Sequence, residues 1–294
     1  MNPHTATLRT LLSGPELLLM PCCFDGLSAR LIEQAGFPLT FMSGFAVSAA
    51  RHAQPHTGLL SYGEILDHGR SILEAVTIPV IGDGDTGYGN PANVRRTVEG
   101  YARAGFAGIM IEDQRAPKRC GHTRGKEVVG RAEACARMRA AVDAREAGAD
   151  ILVMARTDAR GTHGLDEALW RMAAFADIGA DILFLEAPSD EAEMRRFCRS
   201  VPGPKMANLL EEGVTPILLP DQLAEMGYKI AAYPLTLLTA AVHAMREALA
   251  DLAIGRTPER RVHFDTILDV VGFDDYTRLV AGYQADKGEE ADVF

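Results

Sequence analysis

The chain has 294 residues, with 40 acidic and 30 basic side chains and a formal charge of −10. Its 47% apolar content excludes a disordered chain, and an acidic chain without a basic stripe is a poor partner for nucleic acid. No apolar run reaches the length that spans a bilayer, and Met1 to Thr10 lack the charged-then-apolar order of a secretory signal. The five cysteines are odd in number, include the adjacent Cys22 and Cys23, and form no CxxC pair. That usage fits neither a disulfide framework nor a structural zinc site and predicts a cytoplasmic protein.

One pattern repeats: a short apolar run, a polar residue at its end, then a helical stretch. The predicted strands, in chain order, are 17–22, 39–44, 79–85, 107–113, 150–158, 181–188, 204–210 and 228–234. The predicted helices behind them are 25–36, 62–76 after a loop, 90–105, 131–148 after the long loop 114–130, 165–179, 189–201, 221–227 and 235–255. The runs are continuously apolar, as in a parallel sheet covered on both faces. Gly36, Gly105, Gly148, Gly179 and Gly227 close helices where a left-handed residue is expected. Eight such units predict an α/β fold, a (β/α)8 TIM-type barrel over residues 1–255, with a doubly wound sheet as the alternative. The alternative lacks its dinucleotide fingerprint: Gly82-Asp83-Gly84-Asp85 puts carboxylates where phosphates need bare amides. Amphipathic segments 264–271 and 273–283 are surplus to the barrel. They make 256–294 a helical extension, lying on the same barrel or contacting a neighbouring subunit.

In a barrel of this kind the chemistry sits at the C-terminal strand ends. Those ends carry Asp25, Ser43, Asp83, Asp85, Glu112, Asp113, Arg156, Asp158, Glu186 and Asn208. Any one of them could simply cap the next helix or make a turn, but their convergence from successive strands reads as one site. Asp83, Asp85 and Glu112 are hard oxygen donors on neighbouring strands, suited to Mg2+ or Mn2+, in a glycine-rich setting that admits a ligand. Arg156 and Asn208 suit a substrate carboxylate, and Arg156 can equally pair with Asp158 or Glu186. In Lys118-Arg119-Cys120-Gly121-His122 the neighbouring cations favour a thiolate, so Cys120 can move a proton near neutral pH, in a loop placed to act as a lid. Cys22, Cys135 and Cys198 sit on apolar patterns and are predicted to be core. No glycine loop that would grip a phosphate follows the seventh or eighth strand.

These stretches resemble the isocitrate lyase/phosphoenolpyruvate mutase superfamily over about residues 21–234. The matching residues are Phe24-Asp25, Ser43-Gly44-Phe45, Asp83-Gly84-Asp85-Thr86-Gly87-Tyr88-Gly89, Glu112-Asp113-Gln114, Lys118-Arg119-Cys120-Gly121-His122, Arg156-Thr157-Asp158, Glu186-Ala187-Pro188 and Asn208. The resemblance implies a (β/α)8 barrel that binds Mg2+ and acts on α-keto or α-hydroxy acids, in homotetramers whose C-terminal helices swap between subunits. Asp85 would be the principal metal ligand, with Asp83 and Glu112 acting directly or through water. Ser43, Gly44, Phe45 and Arg156 would hold a pyruvate-like carboxylate, with Gly121 beside them, and Glu186 and Asn208 the other end of the substrate. Cys120 marks the carbon–carbon lyases of this group, with Lys118 and His122 in the same loop. It implies retro-Claisen cleavage in which Cys120 protonates the departing enediolate.

Two departures stand out. Phe41 replaces the tyrosine usual in such lyases, and His52-Ala53-Gln54-Pro55-His56 replaces L-G-x-P-D, so His56 becomes a candidate base. The stretch Pro234 to His243 has no lysine or arginine, which favours a dicarboxylic 2-alkylmalate over tricarboxylic methylisocitrate. Methylisocitrate lyase, oxaloacetate hydrolase or decarboxylase, a phosphonate enzyme, and a barrel that binds a diacid without turnover are the competing readings.

Overall fold

The computed structural model describes residues 2–119 and 125–285. In chain order its elements are α1 (Pro3–Ser13), β1 (Leu18–Cys23), α2 (Gly26–Gln34), β2 (Thr40–Met42), α3 (Gly44–His52), α4 (Tyr62–Ala75), β3 (Val80–Asp83), α5 (Pro91–Ala104), β4 (Gly108–Glu112), α6 (Arg131–Glu146), β5 (Leu152–Thr157), α7 (Ala159–His163), α8 (Leu165–Ile178), β6 (Ile182–Leu185), α9 (Glu191–Ser200), β7 (Met206–Asn208), α10 (Pro220–Met226), β8 (Ile230–Tyr233), α11 (Thr236–Ala253), α12 (Phe264–Val271) and α13 (Phe273–Ala285). The eight strands form one parallel sheet in the order β6-β5-β4-β3-β2-β1-β8-β7. Its two end strands meet: Leu183 bridges Lys205, and the Leu183 amide donates to Pro204 O at 2.9 Å. The fold is therefore the (β/α)8 barrel, and the doubly wound alternative is excluded.

Successive side chains of a strand point to opposite faces, which separates two cores here. Leu18, Met20 and Cys22 of β1, Ile81 of β3, Met110 of β4, Leu152 and Met154 of β5, Ile182 and Phe184 of β6, Met206 of β7, and Ile230 and Ala232 of β8 pack together inside the ring. Their neighbours in sequence, such as Cys23, Val80, Ile109, Ile111, Val153, Ala155 and Leu183, pack outward against the helices. The strands read as unbroken apolar runs because both faces are buried. All five glycines predicted to end helices have φ between 85° and 112°, a conformation in which a Cβ would be strained.

Three helices lie outside the predicted set. α1 begins on the Asn2 cap with Pro3 in its first turn. The Asn2 side chain donates to Gly105 O and Phe106 O at 3.2 and 3.0 Å, tying α1 beside the N-terminal ends of the strands. Its Leu8 is fully buried in the interior core and plugs the ring from below. Burial of one such side chain contributes about 2 kcal/mol. α3 occupies what reads as loop after β2, with Ser43 as its cap. α7 is a short helix after β5.

The chain divides into two compact units, residues 1–239 and 240–294, the division falling within α11. In the second unit Met245, Leu249, Leu252, Phe264, Phe273 and Tyr276 are exposed apolar side chains, and Val270 is buried. Cys22 and Cys23 are buried, whereas Cys135 and Cys198 are only half-buried against the core, a correction to their predicted place inside it. Among the described residues no helix is long and apolar enough to cross a membrane.

Candidate active site

The alternation that builds the interior core also builds the mouth of the barrel. Two residues beyond Phe41, Ile81, Met110, Met154, Phe184 and Met206 stand Ser43, Asp83, Glu112, Arg156, Glu186 and Asn208. The apolar side chains beneath form a floor, and the next inward position on each strand is polar. Ser43, Phe45, His56, Asp83, Lys118, Arg156, Glu186 and Asn208 line a single pocket there. Gly44, Asp85 and Glu112 touch its lining. Of the predicted site residues, Cys120, Gly121 and His122 lie outside the described residues.

Ser43 caps α3, its hydroxyl accepting from the Ala46 amide at 3.3 Å. The amides of Gly44 and Phe45 therefore open a nine-residue helix at the pocket wall, where backbone N–H groups lack intrahelical partners and favour an anion. Asp25 by contrast caps α2 in a reciprocal box with Ser28, the structural role open to any strand-end aspartate.

The turn after β3 is stitched onto β4. Gly84 N donates to Met110 O and Glu112 N to Asp85 O, both at 2.9 Å. Asp83 Oδ1 accepts from the Asp85 amide at 2.9 Å. Asp85 itself has φ 50°, a left-handed conformation unusual for a residue with a side chain, which turns its carboxylate toward Asp83 and His56. Gly84 is required because a Cβ would overlap the Met110 carbonyl. Here the glycine serves close packing of backbone on backbone rather than approach of a ligand.

His56, Asp83 and Asp85 each offer a ligand atom within 4.8 Å of the others. His56 Nε2 stands 3.2 Å from Asp85 Oδ1, and the Lys118 ammonium lies against that same oxygen. Gly44 makes room for the group, since a Cβ there would overlap both Asp83 Oδ2 and His56 Nε2. Glu112 lies outside this trio, between Lys118 at 3.8 Å and Arg156 at 3.4 Å. Burial opposes ionisation of Asp85, but Lys118 and His56 hold its carboxyl well below the usual range. Burial dominates at Glu112 and pushes it up to about 8 against the pull of Lys118 and Arg156. Burial likewise works against the Lys118 ammonium, yet Asp85 and Glu112 raise it above the ordinary lysine value.

Arg156 is held from three sides. Its Nε and Nη2 form a fork on Asp158 at 2.8 and 3.1 Å, Glu186 Oε1 lies 3.7 Å away, and its guanidinium sits 5.1 Å from the Phe184 ring centre. The bland and functional readings of Arg156 thus coexist: an ion-paired arginine that also lines the pocket. Lys126 completes the group, reaching Asp158 at 3.1 Å. Asn208 Nδ2 donates to Glu186 at 3.3 Å. Sequence reading missed the Lys126–Asp158 contact, which joins segments far apart in the chain that no local spacing connects.

The remaining wall is apolar. Leu210, Pro234 and Leu235 line it, with Phe41, Cys22 and Ala232 below. Leu210 and Pro234 could have been found by the same step of two, from Asn208 and Ala232. Burial pushes the Cys22 thiol far above its ordinary range, so this pocket cysteine is inert.

The model of the phosphoenolpyruvate phosphomutase family matches residues 8–253. The chain belongs to the phosphoenolpyruvate mutase/isocitrate lyase superfamily. This superfamily member is 43% identical over 247 residues to the 2,3-dimethylmalate lyase of Eubacterium barkeri, with 84% of each chain covered. It is 39% identical over 286 residues to a probable 2-methylisocitrate lyase 2 of Corynebacterium glutamicum, covering 95% of this chain and 92% of the relative. Among solved structures, oxaloacetate acetylhydrolase in complex with the inhibitor 3,3-difluorooxalacetate superposes with a TM-score of 0.92 at 34% identity, over 96% of this chain and 97% of the other.

The donor set fits a divalent cation of the kind the superfamily resemblance implies. Both Glu112 oxygens are buried and accept no hydrogen bond, and Asp85 Oδ1 is buried against the Lys118 ammonium and His56 Nε2. In the paired network at the mouth, the carboxylates of Asp83, Asp85, Asp158 and Glu186, joined by Glu112 that burial pushes up to about 8, outnumber the cations Lys118, Lys126 and Arg156. That imbalance is one a dication would offset.

Proposed function

We propose that the chain is a divalent-metal-dependent carbon–carbon lyase that cleaves a 2-alkylmalate-like 2-hydroxy dicarboxylic acid to pyruvate and a carboxylic acid. The observation that carries this reading is the division of one pocket into a charged side, from Ser43 round to Glu186, and an apolar side at Leu210, Pro234 and Leu235. The charged side suits the carboxylate and hydroxyl of the reacting end, and the apolar side suits an alkyl substituent. A third carboxylate would need a further cation, and besides Lys118 and Arg156 the described lining offers Arg119 alone.

A cation held by Asp85 and Asp83, with Glu112 nearby, would supply electrostatic stabilisation of the developing oxyanion. Mg2+ and Mn2+ are the ions the sequence reading favours. Arg156 binds the carboxylate next to C2, aided by the amides of Gly44 and Phe45 beyond the Ser43 cap. As the C2 hydroxyl gives its proton to water in the pocket, the C2–C3 bond breaks and its electron pair moves to C3, spreading into the adjacent carboxylate as an enediolate. C2 becomes the ketone of pyruvate. Cys120 then delivers a proton to C3, with Gly121 and His122 beside it and Lys118 anchoring its loop at Asp85. Glu186 and Asn208 position the departing end.

The exposed apolar faces of α12 and α13 support self-association into a homotetramer. A cytoplasmic location accords with this chemistry. One further reading has a specific observation behind it. Phe41 has no hydroxyl to offer a substrate, and the likeness to oxaloacetate acetylhydrolase supports hydrolysis of oxaloacetate on the same scaffold.

The test is pyruvate release from 2,3-dimethylmalate, methylisocitrate and oxaloacetate, with divalent metal and with chelator. Chelator-sensitive cleavage of dimethylmalate is expected. Turnover of oxaloacetate alone would overturn the lyase reading.

A further inference from the structure

We infer that His56 binds the metal through Nε2, which makes this a mixed nitrogen–oxygen site that prefers a first-row transition ion of the Mn2+ to Co2+ kind over Mg2+. The inference rests on the metal-dependent reading of the same pocket and adds the chemistry of the ion. His56 is buried and its ring is fixed edge-to-face on Phe45, with centroids 6.4 Å apart. Its Nε2 lies 3.2 Å from Asp85 Oδ1, and a ligand atom from each of His56, Asp83 and Asp85 falls within one 4.8 Å group. The missing Cβ of Gly44 leaves the space in which Nε2 and Asp83 Oδ2 converge.

Imidazole nitrogen is a borderline donor that suits transition ions, whereas Mg2+ demands oxygen and gives up its waters reluctantly. Asp85 Oδ1 has the Lys118 ammonium and His56 Nε2 against it, so a cation already stands where a metal would bind this oxygen and nitrogen together. A nitrogen whose lone pair holds a cation cannot accept the substrate's hydroxyl proton. The ligand role therefore replaces the base role that the sequence alone offered for His56.

The experiment is pulsed electron paramagnetic resonance on the full-length protein loaded with Mn2+, paired with equilibrium dialysis against equimolar Mn2+ and Mg2+. Directly bound imidazole is expected to give 14N modulation of the Mn2+ signal, and the wild type is expected to retain Mn2+ over Mg2+ by at least ~10-fold. His56→Asp should abolish the modulation, still bind metal, and shift the ratio about 10-fold toward Mg2+. His56→Asn, close to the imidazole in shape, controls for packing and should also lose the modulation. Absence of 14N modulation in the wild type, or an unchanged ion ratio in His56→Asp, would overturn the inference. Chelator-sensitive cleavage without 14N modulation would sink the ligand role and leave the lyase reading standing. The modulation without cleavage by either ion would do the reverse.

Discussion

The two arcs of the barrel mouth are built by one rule and behave in opposite ways. From β3 to β6 the residue two beyond the apolar floor is Asp83, Glu112, Arg156 or Glu186, buried and charged. On β7 and β8 the mouth offers Leu210 and Pro234, apart from Asn208, above a floor that includes Cys22 of β1. The charged arc is costly: each ion is withdrawn from water and is tolerated only because a neighbour compensates it. The apolar arc carries no such cost and can change without disturbing the fold. The contrast assigns the shared chemistry to the first arc and the choice of substrate to the second.

Removing the central cation should break the charged arc most completely. Arg156→Leu takes one cation from Glu112, Asp158 and Glu186 at once, leaving them Lys118, Lys126 and Asn208, so a loss of about 3 kcal/mol in denaturant unfolding is expected, together with loss of turnover. Arg156→Lys should recover stability better than activity, because a point charge cannot reproduce the fork on Asp158.

Next in size is Cys120→Ser, predicted to lower kcat by about 10²–10⁴ with little effect on melting temperature. A rate that survives would favour the oxaloacetate reading. On the apolar arc, Leu235→Arg places a cation where the lining has none. Steady-state kinetics should show kcat/KM for methylisocitrate rising relative to dimethylmalate by roughly 10–200-fold, the range one pocket contact commands.

The smallest effect concerns acid stability. Asp158 resists ionisation through burial, but Arg156 and Lys126 bring its carboxyl down to about 2. A depressed value means that the ionised form stabilises the fold above the unfolded value of about 4, and that this contribution fades as pH falls toward 2. Asp158→Asn should therefore be less stable at neutral pH and show a flatter acid limb between those values. An unchanged limb in acid titration followed by circular dichroism would contradict the pairing.

Much of this was legible in the sequence because the barrel repeats it. Eight apolar runs ending in polar residues specify the strands, and the period of two carries Ser43, Asp83, Glu112, Arg156, Glu186 and Asn208 to one rim. What escaped is what crosses between units. α1 was passed over because its role, plugging the ring with Leu8, depends on packing against strands far along the chain. α3 reads as loop because its cap, Ser43, also looks like a site residue; in the structure Ser43 both caps α3 and lines the pocket. From the sequence His56 reads as a candidate base. Only the fold brings its nitrogen to Asp85.

The measurement that bears most directly on the two-arc account is kcat/KM across a graded series: 2-methylmalate, 2,3-dimethylmalate, the 3-ethyl homologue and methylisocitrate, under one metal condition. The account predicts a rise as the 3-alkyl group fills the wall of Leu210, Pro234 and Leu235, and a sharp fall when a carboxylate is placed there. A maximum at methylisocitrate would contradict it, because a carboxylate would then be favoured against the apolar wall of Leu210, Pro234 and Leu235.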